Sequence, residues 1–548
     1  MARALPLLTD WNRFYWTSGS DGRLRFQSCA ECQSLQHPAG PICRYCGSDR
    51  RELREVSGRG VIQSHTTNHQ QWSPDFPPPY SVAVVAIDED PRVRVTTTIT
   101  GADPGQVQVG MPVQVVFEQV EDVWLPHFEL TGEPPGELAD EREALARIRT
   151  VRPMARLDKF EDKVAVTGIG MSRFGRKLML DPVALSVEAI RSAVADAGLT
   201  LADIDGLSTY PAGTADGGYS EGGVTAVESA LGLRPGWHNG ASETPGATGS
   251  LIAAMLAVAS GLCRHVVCFR TVWQSTSAEL AKRAAAVGGQ RRRVSGIEEH
   301  LAPFGVLAVN TVAMAATQHF ARYGTTKETL GWIALNARAN AVRNPTAVFR
   351  DPLTMEQYLA ARPISSPLGL LDCDPLCDGS VAVVVSAADA AVDLPRPPVL
   401  VEAVGMQITE RIEWDQGVLS HEPHVLGPAA HLWSRTTLRP ADVDVAELYD
   451  GFTFNCLSWL EALGFCEVGE AKDFLDGGKR IALDGELPVN THGGQLSHGR
   501  THGMGLVHEA ITQLRGNAGV RQVRAASTAV VSSGGLTPGG VILFRATD

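Results

Sequence analysis

An internal repeat constrains the fold of this chain more than any other feature. Ala202-Asp203-Ile204-Asp205 with Tyr210 recurs at the same internal spacing as Ala441-Asp442-Val443-Asp444 with Tyr449. Each copy is followed by a glycine-containing helix start and then by a strand pattern: GATGSLIAAMLAVASGLCRHVVCF from Gly246, and HGMGLVHEAITQLRGNAGVRQVRAAS from His502. Two similar halves on one polypeptide predict a pseudo-twofold architecture, because a repeated unit buries its apolar face against its copy. Gly246 and His502 then mark equivalent helix starts. Helix N-termini converging between the halves favour negative charge developing there.

The second start lies at the end of the densest chemical stretch in the chain. Asn490 to Gly505, NTHGGQLSHGRTHGMG, holds five glycines, three histidines and Arg500 in sixteen residues. Glycine lets backbone N–H groups approach a ligand closely, and histidine titrates near neutrality. This is either an active-site loop or a tight glycine turn with surface histidines. His498 and His502 stand four apart, as metal ligands on a helix can, but the glycines oppose that helix and no acidic partner is near in sequence.

At 548 residues the chain is expected to form two to four domains. A net charge of −13 argues against a nucleic-acid partner bound through broad basic surface. The start, MARALPLLTDWNRFYW, lacks a basic region followed by a long apolar core, and the longest apolar run, Leu251 to Cys263, is too short to span a bilayer. No signal peptide and no membrane insertion are expected. Four of the ten cysteines cluster as Cys29-x-x-Cys32 and Cys43-x-x-Cys46. Each pair makes a knuckle, and four thiolates close a tetrahedral structural zinc site, so residues 1–54 read as an N-terminal helix and zinc ribbon. A reducing, cytoplasmic setting follows.

Five β-patterned runs come next: Gly60 to Thr67, Ser81 to Ile87, Arg92 to Ile99, Val113 to Phe117 and Val123 to Leu130. Short, Val- and Thr-rich and split by turns, they predict a small closed barrel of the OB type over 55–131. Residues 132–162 are proline- and charge-rich, a linker with one short helix or an extra helix packed on the larger domain. From 163 the pattern is α/β: a buried strand at Val164 to Gly168, a helix starting at Asp181-Pro182 and stopping at Gly198. GIGMSRFG has Arg173 where a dinucleotide loop needs its third glycine. The halves are set at 163–397 and 398–548, with a cap over about 277–371. Within the cap, Arg291-Arg292-Arg293 would hold the phosphates of a nucleotide tail or form a solvated basic loop.

PGATGSLIAAMLAVASG (245–261), LLDCDPLCDGSVAVVVS (370–386), ELYDGFTFNCLSWLEALGF (447–465), GGQLSHGRTHGMG (493–505) and SSGGLTPGG (532–540) together resemble the thiolase superfamily, in its sterol-carrier-protein-x or lipid-transfer-type branch. Residues 1 to about 131 resemble the zinc-ribbon/OB partner domain that accompanies such proteins. The resemblance implies a layered α-β-α-β-α domain, a CoA thioester as substrate, and a homodimer. It also exposes departures. The acylated cysteine of thiolases falls at Gly246, the second catalytic cysteine at Ser532 or Ser533, and the histidine of the Gly-His-Pro motif at Arg500. Cys263, Cys268, Cys373, Cys377, Cys456 and Cys466 lie in apolar patterns that read as buried structure. Without a thiolate, acyl transfer has no carrier.

What remains is proton chemistry. The aldolase branch cleaves a β-hydroxyacyl-CoA, for example a steroid side-chain thioester, by retro-aldol reaction. Tyr449 in ELYD is similar to the tyrosine used there as base; Arg500 stands where a second family tyrosine is found and is placed to lower the phenol pKa; His502 or His498 is left as second proton carrier or oxyanion donor. Gly246, Gly503, Ser533 and Gly534, with Arg291 and Arg292, are the expected substrate and CoA contacts. The alternatives are a non-catalytic acyl-CoA or lipid binder, and a non-covalent condensing enzyme of secondary metabolism. For Tyr449, a core position at a strand end is the plainer alternative.

Overall fold

The computed structural model describes residues 3–155, 158–211, 213, 216–284, 293–408, 418–422, 424–534 and 538–547. At the N-terminus, strand Arg25–Cys29 pairs with Leu35–Gln36 and with Arg51–Glu55. The two knuckles are built alike. Cys29 O accepts from Gln33 N–H and Cys43 O from Gly47 N–H, both at 2.9 Å, and both donors have positive φ (59° and 76°).

The barrel closes. Arg59–Asn68, Tyr80–Ile87, Asp90–Thr100, Val123–Leu130 and Pro112–Val120 follow one another in space, and the last pairs back to the first. All five β-patterned runs of the sequence become its strands. Their buried residues on both faces (Val82, Val84, Ile99, Phe128) belong to one apolar core with Phe304, Met314 and Leu419 of the larger domain. The barrel is therefore packed onto the cap. Ser64 Oγ bonds Met314 O, Gln318 Nε2 donates to Gln63 O at 2.5 Å, and Ser365 pairs in register with Asn68. The N-terminal strand Leu5–Pro6 likewise pairs with Arg293–Val294.

The cap is helical, with two sixteen-residue helices, Ala308–Tyr323 and Lys327–Val342. The short helix Arg142–Ile148 buries Leu145 and Ile148 against the main core.

The larger domain has the symmetry the repeat predicts. Its strands lie in the order Trp237–Asn239, Gly206–Thr209, His265–Trp273, Asp378–Ala387, Val164–Met171, Val399–Gly405, Gly540–Arg545, Thr528–Ser533 and Val445–Glu447. Gly206–Thr209 runs parallel to both His265–Trp273 and Trp237–Asn239, Val445–Glu447 runs parallel to Thr528–Ser533, and the remaining neighbours in each half are antiparallel. The pseudo-twofold passes between Val164–Met171 and Val399–Gly405, which share only the pairs Ala165↔Leu400 and Val166↔Val399. Helices Gly246–Ala259 and Met504–Leu514 touch strands of both half-sheets, while Pro182–Asp196 covers the first half and Leu426–Trp433 the second. The layers are thus α-β-α-β-α.

The repeated aspartates explain why the sequence repeats there. Asp203 and Asp442 each accept the N–H three residues earlier, from Thr200 and Arg439, at 2.8 Å. Asp205 accepts from Arg264 and His265 N–H at 2.8 and 2.9 Å; Asp444 accepts from Ser527 and Thr528 N–H at 2.8 and 3.0 Å. Each carboxylate pins the entry of the parallel neighbour strand, satisfying backbone donors the ladder leaves open.

Candidate active site

The two central helices direct their N-termini at the end of strand Thr528–Ser533. Gly246 has φ +53°, and a Cβ there would stand 2.9 Å from Ser533 Oγ, 3.2 Å from Ser533 Cβ and 3.4 Å from Gly534 N. Gly503, φ +97°, would bring a Cβ to 2.9 Å from Ser533 Cβ. Ser533 is fully buried: its hydroxyl donates to Pro245 O at 2.8 Å and accepts from Thr248 N–H at 3.2 Å. It is a spacer between helix starts. Ser532 Oγ accepts the Tyr449 N–H at 2.9 Å, which fixes the end of strand Val445–Glu447 beside the same point.

Tyr449 is 5% exposed. Burial pushes its phenol well above the usual tyrosine range, with the Asp374 and Glu422 carboxylates adding to the rise and Arg500 and Gln495 opposing it. Sequence reasoning expects Arg500 to lower this pKa, and it does pull in that direction. It does not win, because its charge is largely engaged elsewhere: Arg500 Nε donates to Asp374 Oδ1 at 2.8 Å and Nη2 bonds the same oxygen. Asp374 Oδ2 is buried without a hydrogen-bond partner among the described residues.

His502 adopts φ +51° and accepts at Nδ1 from Arg270 Nε at 3.2 Å, while Arg270 Nη2 reaches the same nitrogen. Its ring stacks on Tyr219 with centroids 5.8 Å apart. Burial, helped by Arg270 and Arg500, holds the imidazole pKa well below its ordinary value, so His502 is neutral. His498 points elsewhere. Its ring stacks on Phe174 at 4.7 Å and tilts against His492, and Nε2 lies 3.2 Å from Thr346 Oγ1. The structure thus gathers Gly246, Gly503, Ser533, Gly534, Tyr449, Arg500 and His502, and sets His498 in a separate buried cluster. Arg291 and Arg292 lie outside the described residues. Arg293 is committed to Pro6 O, Glu121 and Asp122.

Arg270, Asp374, Gln495 and Tyr219 are additions that sequence reasoning missed. Arg270 did leave a signal, as the one charge in the buried strand HVVCFRTVW, where an arginine needs partners. None of the six cysteines outside the ribbon offers a thiolate. Cys263, Cys268, Cys377 and Cys456 are buried, Cys263 is pushed up to about 11, and burial lifts the others further.

Among the described residues, two clusters have metal-ligand chemistry. The ribbon thiols of Cys29, Cys32, Cys43 and Cys46 all lie within 4.8 Å of one another, which fits the four sulfurs of a tetrahedral zinc with Zn–S bonds of about 2.3 Å. Zinc there is structural, with no position left for substrate. In the second, His319 and His421 Nε2 stand 3.1 and 2.8 Å from one Glu461 oxygen, hydrogen-bond lengths, with Nδ1 atoms held by Thr325 and Ser420. That cluster is a buried clamp fastening residues 418–422 to helix Thr453–Ala462.

Comparisons with known proteins agree with this architecture. Family models match as a rubredoxin-like zinc ribbon of ChsH2 over residues 16–52, a ChsH2 C-terminal OB-fold over 53–118, and a thiolase C-terminal domain-like segment over 428–541. A steroid side-chain-cleaving aldolase of Thermomonospora curvata is 34% identical over 386 residues, 69% of this chain and 97% of that protein. A 17-hydroxy-3-oxo-4-pregnene-20-carboxyl-CoA lyase of Mycobacterium tuberculosis is 34% identical over 394 residues, 70% and 99% respectively. The solved Ltp2-ChsH2(DUF35) aldolase superposes with a TM-score of 0.62 at 32% identity, covering 70% of this chain and 98% of that one. On these relatives and family models, the chain belongs to the aldolase branch of the thiolase superfamily and carries a ChsH2-type zinc ribbon and OB-fold on the same polypeptide.

Proposed function

We propose that the protein cleaves a bulky β-hydroxyacyl-CoA, such as a steroid side-chain thioester, into a ketone and a shorter acyl-CoA. One observation carries this reading: Gly246, at the nucleophile position, has a left-handed φ of +53° and a Cβ there would crowd Ser533 Oγ at 2.9 Å, while Tyr449 and His502 flank the same helix starts. The β-hydroxyl proton passes to the Tyr449 oxygen. Its O–H electrons form the ketone C=O, the Cα–Cβ bond breaks, and the pair moves into the thioester as an enolate, which is then protonated at Cα. Donors at the helix starts, with His502 as the second group, hold the enolate oxygen. In the condensing direction the same phenol donates to the ketone. A phenol pKa raised by burial makes cleavage climb with pH through the neutral range, because the reactive phenolate is the minor form.

Incubation with 17-hydroxy-3-oxo-4-pregnene-20-carboxyl-CoA, the compound named in a relative, is expected to release a C17 ketone and a three-carbon acyl-CoA. Tyr449→Phe should lower turnover by about 10²–10⁴-fold with an unchanged unfolding curve. Full turnover by that variant removes Tyr449 as the base, and tight binding without any product favours a thioester binder.

The sheet ends at Trp237–Asn239, which pairs on one side only among the described residues. This open edge supports a homodimer joined strand to strand, checked by sedimentation. Ten unpaired thiols support a reducing, cytoplasmic setting.

A further inference from the structure

We propose that Arg270 is a positioning residue that locks the neutral imidazole of His502 with its proton on Nε2, so that His502 donates a hydrogen bond to the thioester oxygen and takes no part as a base. This rests on the aldolase reading for its consequence, though not for its geometry.

The geometry leaves one arrangement. A guanidinium has donors only, and Arg270 aims Nε and Nη2 at His502 Nδ1. Nδ1 must therefore present its lone pair, and the single proton of a neutral ring then sits on Nε2. Protonating Nδ1 would set an N–H against two N–H donors of a buried cation. Arg270 cannot turn away to allow it: the residue is 1% exposed, on strand His265–Trp273, with Nη1 spent on Tyr219 O and Thr271 O. His502 is held just as firmly from its own side. It sits at φ +51°, Tyr219 stacks on its ring, and the next amide, Gly503 N–H, donates to Gln495 Oε1 at 3.1 Å.

The charged groups acting on the ring are Arg270 from the strand and Arg500 from its own loop, Tyr219 from the facing loop stacks on it, and Glu221, Tyr210 and Tyr449 act on Arg270. The two cations dominate at His502 and both oppose an imidazolium. None of the described residues takes a hydrogen bond from His502 Nε2, which leaves that N–H for a ligand. The work of the site divides accordingly. Tyr449 moves the proton, and His502 steadies charge without changing its own.

The test begins without substrate. Long-range proton–nitrogen spectra of free, histidine-¹⁵N-labelled protein, assigned by the signal lost in His502→Gln, should show Nδ1 bare and Nε2 protonated from pH 8 down to pH 5. An Nδ1–H form, or titration near the ordinary value of about 6.5, overturns the proposal. In Arg270→Met that ordinary titration should appear.

Kinetics on two further variants keep the proposal falsifiable if Arg270→Met does not fold. His502→Gln can turn Oε1 to Arg270 and donate from Nε2, and should retain cleavage within about tenfold; His502→Leu, with the same left-handed backbone cost, should lose about 10²–10³-fold. Equal large losses in both would overturn the donor role. Should wild-type protein cleave no β-hydroxyacyl-CoA, the aldolase reading fails and the spectra still decide the tautomer.

Discussion

Adding a side chain at position 246 tests whether a cysteine nucleophile could stand there. In Gly246→Ala the new Cβ carries a left-handed φ of +53°, which costs an L-residue about 1–2 kcal/mol. It also meets Ser533 Oγ at 2.9 Å and Ser533 Cβ at 3.2 Å, and Ser533 cannot yield easily because its hydroxyl is tied to Pro245 O and Thr248 N–H. Overpacking of this kind costs about 1–3 kcal/mol. Together the destabilisation is about 2–5 kcal/mol, a fall in Tm of roughly 4–10 °C for a domain this large. Thermal and denaturant unfolding of Gly246→Ala, Ser533→Ala and the double variant read it directly. The double variant should recover at least about 1 kcal/mol of coupling, since removing Oγ removes the nearer clash. Gly246→Ala within about 0.5 kcal/mol of wild type, or strictly additive variants, would refute the claim that this position has closed around glycine. Gly246→Cys should suffer the same loss and show no acyl adduct by intact-protein mass after exposure to an acyl-CoA.

The remaining predictions concern charge and metal. Asp374→Asn removes a carboxylate that raises the Tyr449 pKa and releases Arg500 from its partner, so the phenol pKa falls and the pH–rate profile for cleavage should move to lower pH; an unmoved profile would separate Tyr449 from the rate-limiting proton. Glu461→Gln breaks a clamp whose two histidines stay buried, costing about 3–5 kcal/mol in chemical unfolding. The Glu461 carboxyl is held below its ordinary value by His319 and His421. Its contribution is therefore complete above the unfolded-state pKa of about 4.3 and is lost as pH falls toward the lower folded value, which a titration of stability between pH 5 and pH 3 reads. Chelating zinc should open the Cys29–Cys46 segment to proteases and lower Tm, while residual turnover still depends on Tyr449; turnover lost at once under native conditions would give the ribbon a more direct role.

What the sequence revealed and what it hid follow from the reach of each interaction. The ribbon was legible because its ligands sit in two pairs whose knuckles close within five residues, through Gln33 and Gly47. The barrel strands were legible because alternation and turn residues are local, and the pseudo-symmetry because Asp205 and Asp444 do the same backbone job in each half. The site was legible only as a list of residue types. Its working pairs join distant parts of the chain: Arg270 with His502, Asp374 with Arg500, Gly246 with Ser533. No spacing rule predicts which buried cation finds which partner, so His498 and His502 looked equivalent in one loop although one faces Phe174 and Thr346 and the other faces Arg270. The same distance explains the reversal at Tyr449. A nearby arginine read from sequence implies a lowered pKa, but Asp374 reaches Arg500 from the other half of the molecule and cancels much of its effect, leaving burial to decide. The fold thus builds a site in which both buried arginines are answered, one by a carboxylate and one by an imidazole lone pair. The imidazole can answer only by holding its proton on the far side of the ring.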